Sequence, residues 1–258
     1  MFRSLALLCA ALAAAPLAAR AEGFDRDMLL TEAPATPAAG TVRVSASSLG
    51  QSGSDATSPS SSNFSSVSGS LLWAPVANLA GDVGIYWQPG PNVSGPSVRV
   101  RYQILGQEKW GLDLAAGARY KTVSFIHPNN VNGGVGELEF LVAAGKRFGQ
   151  FELVLNGVFG LETGGGGGKD VEAKAWAGYH FSDTFRAGVD SRLQAEVGDG
   201  EAATTTPTGV RDFDLTAGPA LSWMPVGKLQ LQALVGVIMP KKTSVTSPVG
   251  MLAASIDF

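Results

Sequence analysis

Charged side chains in this chain recur at every second position: Arg99 and Arg101, Arg119 and Lys121, Glu137 and Glu139, Asp170 and Glu172, Asp212 and Asp214. In extended backbone residues i and i+2 share a face, so each pair aims two like charges to one side. The basic set Arg99, Arg101, Arg119 and Lys121 is expected to line a pore and attract anions, and the acidic set Glu137, Glu139, Glu172 and Asp214 to attract cations. Lys174 and Arg192 dilute the acidic set. Opposed arcs of charge across a lumen would set up a transverse field that orients dipolar solutes and raises the entry of small ions. The same residues allow a second reading, in which Lys121 pairs with Glu137 or Glu139, and Glu172 or Lys174 with Arg192 or Glu196, and the pairs fill the interior.

Covalent chemistry finds little support. A serine hydrolase needs an imidazole within hydrogen-bond reach of a hydroxyl, and the chain has 2 histidines. His127 has Ser124 as its near hydroxyl in sequence, without the spacing of outer-membrane lipid hydrolases, and His180 falls at a strand end facing inward. No enzymatic role and no catalytic residue is expected. Asp212-Phe213-Asp214 offers two carboxylates where calcium prefers six to eight oxygens, so no metal site is expected. Thr163 to Lys169 resembles a phosphate loop only superficially, because Thr163 replaces the first glycine and Asp170 follows the lysine. No cofactor is expected, and a net charge of -3 does not suggest nucleic-acid binding.

The elements that must position these charges are strands. Twelve segments alternate with period two, near 41–48, 64–74, 79–88, 97–106, 110–124, 135–148, 150–162, 170–181, 184–196, 212–224, 228–239 and 249–258. Their joins alternate between tight, as at Gly149 or Ser182-Asp183, and long, as from Leu49 to Asn63, where serine dominates. One face is apolar, as in Leu79, Val83, Ile85 and Trp87, with Lys146 as its single charge; the other carries the ionisable residues. A soluble barrel would invert this, with charges outside and an apolar centre. Trp73, Trp110, Phe148, Phe151, Tyr179, Phe181, Phe185, Trp223 and Phe258 fall beside the tight joins or at the C-terminus, as an interfacial girdle requires. Trp87, Tyr120, Phe159 and Phe213 make a sparser ring at the other end.

The start of the chain reads as an export signal over 1–21: Arg3, an apolar run from Leu5 to Ala15, and a small-x-small site at Ala19-Arg20-Ala21. Cys9, the sole cysteine, falls inside it, so the mature chain would carry neither disulfides nor thiolate sites. Residues 22–40, with Pro34 and Pro37, are expected as a periplasmic leader, with insertion as a small plug the alternative, and 41–258 as one domain. A terminal alternating strand, Leu252, Ala254, Ile256 and Phe258 on one side, behind an export signal, resembles the closing strand of bacterial outer-membrane β-barrels.

That resemblance implies an all-β fold, a single closed antiparallel up-and-down barrel of about twelve strands with short periplasmic turns, longer extracellular loops and both termini in the periplasm. It implies residence in the outer membrane of a Gram-negative cell among lipid and lipopolysaccharide. Recognition of the strand ending in Phe258 by the barrel-assembly machinery is also implied. The expected function is a narrow passive, porin-like channel for small polar or charged solutes. A closed structural or surface-binding barrel is the alternative.

Overall fold

In lipid every backbone polar group must be paired within the protein, and a closed ring of two-faced strands achieves that without leaving an edge. The computed structural model has this form. It describes residues 25–52, 64–88, 93–122, 136–163, 168–197, 213–240 and 246–258. The strands are β1 Val42–Gln51, β2 Phe64–Val76, β3 Leu79–Gln88, β4 Val93–Leu105, β5 Asp113–Lys121, β6 Glu137–Phe148, β7 Phe151–Glu162, β8 Lys169–Ser182, β9 Phe185–Glu196, β10 Phe213–Val226, β11 Leu229–Met239 and β12 Ser247–Asp257. Each pairs antiparallel with its sequence neighbours, and β1 pairs with β12 from Arg43↔Asp257 to Gln51↔Val249, closing the barrel.

Tight joins lie at one end and longer connections at the other, called here the turn end and the loop end; both β1 and β12 have their terminal side at the turn end. Asn78 takes φ 68 and Gly149 φ 62 in two of the tight joins, left-handed conformations that asparagine and glycine tolerate. One join differs from expectation. Gln107–Trp110 form a helical turn ended by Gly111 at φ 75, so β5 begins at Asp113 and Trp110 projects from the turn, not from a strand.

Side chains sort by phase as the alternation requires. Ile85, Val142 and Val235 are 58%, 53% and 69% exposed on the outside, whereas Arg101, Glu139 and Asp190 are 2%, 1% and 0% exposed within. At the turn end the rings of Phe151, Tyr179, Phe181 and Phe185 follow one another at 5.0, 5.0 and 5.5 Å between centroids, a continuous aromatic band on the outer face. Lys146 lies with its ammonium 5.1 Å from the Phe148 ring, at the edge of that band, where a long stem can carry its charge to water.

The expected signal, residues 1–21, residues 53–63 of the serine-rich join, His127 with Ser124, and Asp212 lie outside the described residues, while Leu49 to Gln51, expected in that join, belong to β1. Of the expected leader, residues 25–40 are described. From Arg26 to Pro37 the chain lies inside the barrel, with Met28, Leu30, Thr31, Glu32, Ala33 and Thr36 buried. Its path enters at the turn end, where Arg26 bonds Asp257 at 2.6 Å, and returns there, where Gly40 N–H donates to the Ala74 carbonyl at 2.7 Å. Inserted there, the leader supplies Asp27 and Glu32 as additional partners to Arg99, Arg101, Arg119 and Lys174.

Candidate functional site

The leader is anchored at its deepest point by polar groups of facing strands. Asp190 of β9 accepts from the Leu30 N–H at 2.8 Å and the Thr31 hydroxyl at 2.5 Å, and Asn156 of β7 bonds both backbone groups of Glu32, at 2.7 and 2.9 Å. On the return, Gln103 of β4 accepts from the Thr36 N–H at 3.1 Å. Pro34 and Pro37 lack an N–H, which lowers the number of backbone donors that must find partners here. Met28 and Leu30 pack with Trp176, Leu234 and Met251 in an apolar cluster on the lumen wall. Burial of two such side chains contributes roughly 1.5–3 kcal/mol each. Trp176 has room for its ring because β8 carries glycine two residues on: a Cβ at Gly178 would stand 2.3 Å from it.

Charges then organise around two leader carboxylates. Asp27 meets Arg99 at 2.7 Å and Arg101 at 2.8 Å, both on β4. Glu32 meets Arg99 at 3.0 Å, Arg119 of β5 at 3.3 Å and Lys174 of β8 at 3.2 Å. Burial alone would raise the Glu32 carboxyl, but Lys174, Arg119 and Arg99 bring it down to about 2. Asp27 is likewise held well below the usual carboxylate range, since Arg99 and Arg101 outweigh its burial. Both are therefore anions at neutral pH, inside a polar cage that only the inserted segment completes.

The eight residues singled out by alternation all face inward, in an arrangement other than opposed arcs. Glu137 and Glu139 lie on β6, next to β5, in register with Lys121 and Arg119. Lys121 bonds Glu139 at 2.5 Å and Glu137 at 3.2 Å, and Arg119 bonds Glu139. Glu172 takes Arg192 of β9 and, at 3.2 Å, Lys174. Asp214 is buried on β10. Arg99, Arg101, Arg119, Lys121, Glu137, Glu139 and Glu172 thus each find an opposite charge on an adjacent strand or on the leader, which short-circuits a field across the lumen. Of the eight, Arg99, Arg119, Lys121 and Glu172 border the open space described next. Sequence alternation did not reveal Asp27, Glu32 or Asn156, and it set Asp190 on the charged face without a role; the signal available in the leader was a pair of acids flanking the apolar run Met28, Leu29 and Leu30. His180, read as a lumen or turn residue, is buried at the turn end and bonded to Glu152, which Arg186 also holds at 2.6 Å.

The lumen is not filled. A cavity of about 220 Å³ lies beside the leader, far above the roughly 10–15 Å³ that admits one water. Its position follows from side-chain size. Strands β4 to β9 point long charged residues inward, whereas β1, β2 and β12 offer Ser45, Ser47, Ser68, Ser70, Ala253 and Ser255. Ser47 and Ser68 hydrogen-bond each other at 2.8 Å along that wall. The open space therefore has a short hydroxyl wall on one side and a wall of paired cations on the other.

Solved structures share this architecture. The fold, a closed twelve-stranded antiparallel β-barrel, is the one that solved outer-membrane porins adopt. It is similar to the NanC porin, with a TM-score of 0.58 at 10% identity, over 83% of this barrel chain and 100% of that one. It is similar to the COG4313 outer membrane channel from Pseudomonas putida F1, with a TM-score of 0.57 at 13% identity, over 93% and 100%. The KdgM porin superposes with a TM-score of 0.53 at 12% identity, over 84% and 99%. No family model matches the barrel's sequence, and no curated protein sequence matches it.

Proposed function

We propose that the chain is a narrow passive channel of the bacterial outer membrane for small polar or charged solutes. The observation that carries this reading is the eccentric cavity between the serine wall and the cationic wall, which persists although the leader occupies the barrel. Two of the similar folds are named porins and one a channel, which agrees with this reading at the level of fold. In this reading Arg99, Arg101, Arg119 and Lys121 favour anions, and Glu137, Glu139, Glu172 and Asp214 moderate that preference. Both termini lie in the periplasm, the outer face contacts lipid and lipopolysaccharide, and the strand ending in Phe258 is what the barrel-assembly machinery recognises.

The test is electrical. Purified full-length protein in a planar bilayer is expected to give discrete current steps in simple salt, with anions more permeant than cations. Absence of steps above the bare-bilayer background removes the channel. One observation favours the closed, binding barrel as the second reading: the leader spans the middle of the lumen and joins β4, β5, β7, β8 and β9 through hydrogen bonds and ion pairs.

A further inference from the structure

We propose that the Arg99, Arg119 and Lys174 cluster is a binding site for a small dicarboxylate, and that Asp27 and Glu32 of the leader occupy it as an internal stand-in for that ligand. Three features point to a site and not to fill. First, the cations come from β4, β5 and β8, yet they converge on one carboxylate, Glu32, at 3.0, 3.3 and 3.2 Å. Second, the Arg99 guanidinium, fixed to the wall by Nε on Asp82 of β3 at 2.6 Å, turns its two remaining nitrogens to two separate leader acids: Nη1 to Glu32 at 3.0 Å and Nη2 to Asp27 at 2.7 Å. A guanidinium forks its donors in a plane, so it fixes the separation at which two carboxylates are accepted together.

The third feature is independent of the leader. Nη1 of Arg192, buried on the cavity wall, has no hydrogen-bond acceptor among the described residues. A buried charged donor without an acceptor is costly, and a solute carboxylate in the adjoining space would supply one. Arg99, Arg119, Lys174 and Arg192 all border the same cavity of about 220 Å³. A dicarboxylate arriving there meets the charge pattern that the leader now satisfies, so ligand and leader compete for the same donors.

This deepens the channel reading by naming a solute class, and rests on it only for passage; binding is measured separately. The probe is succinate, with its monoamide succinamate as the control, titrated calorimetrically into detergent-solubilised full-length protein in chloride-free buffer. Removing the internal competitor in Asp27→Asn/Glu32→Gln is expected to tighten succinate binding at least tenfold, with succinamate gaining less than threefold. Adding Arg99→Gln to that variant is expected to abolish the gain. Heat-shifted gel mobility reports that each variant keeps a closed barrel; if the double variant does not fold, succinate protection of the wild-type leader from trypsin is the readout, expected to fall as the ligand displaces the leader. Equal succinate affinity in wild type and double variant, equal gains for both probes, or unchanged trypsin sensitivity overturns the proposal. In a bilayer the same succinate titration is expected to block current at lower concentration in the double variant; a silent bilayer with the calorimetric gain intact refutes the channel and leaves the binding site standing.

Discussion

Arg43, at the start of β1, and Asp257, at the end of β12, are in register across the barrel seam and joined by a 2.6 Å bond from Nε to Oδ1. Arg43 also holds Asp25 at 2.9 Å, and Asp257 also holds Arg26 at 2.6 Å, so the closure of the barrel and the entry of the leader share one charge cluster.

Removing one partner of a largely buried ion pair strands the other, at a cost on the order of 3 kcal/mol. Arg43→Met is therefore expected to lower barrel stability by about that amount, read as urea unfolding in lipid vesicles followed by tryptophan fluorescence. Loss of less than about 1 kcal/mol, the range of surface pairs, would show that Arg26 alone satisfies Asp257.

Asp190 holds the deepest part of the leader through two hydrogen bonds, each contributing about 0.5–1.5 kcal/mol. Asp190→Ala is expected to make the leader at least tenfold more sensitive to trypsin after Arg26, with the barrel strands unchanged. An unaltered cleavage rate would mean that the cationic cage anchors the leader without this contact.

Acid should release the leader late. Glu32 is depressed to about 2 by Lys174, Arg119 and Arg99 against the effect of burial, and Asp27 is depressed as well. A depressed carboxyl contributes stability that is complete above its ordinary value near 4.5 and is lost as pH falls through the folded value of about 2. The part of the leader's hold that Glu32 supplies is expected to be lost only as pH nears about 2, read as a rise in conductance there. No further rise between about pH 4 and about pH 2 would show that these carboxylates do not hold the leader.

The two faces should respond oppositely to the same new charge. Val142→Arg, on the outer face at mid-barrel, is expected to cost about 2–4 kcal/mol. Ser47→Arg, on the serine wall, is expected to leave stability nearly unchanged and to reduce single-channel current by narrowing the open side. Equal destabilisation by both would contradict the face assignment.

Period-two alternation was sufficient to place twelve strands, because a β-residue has two possible directions and lipid penalises the wrong one. Thus Glu139 and Val142, three residues apart on β6, were separable by type alone, and so were the aromatic band and the inward facing of all eight charged candidates. Which charges meet was not legible, since it depends on register between strands and on a segment with no periodicity. The leader in particular carries acids, prolines and apolar residues that suit a tail or a plug equally. Only the assembled ring shows that Arg99, Arg119 and Lys174, 75 positions apart from first to last in the sequence, stand within reach of one carboxylate, Glu32. Composition along a strand decides what a residue faces, while the curvature of the closed sheet decides what it faces it with.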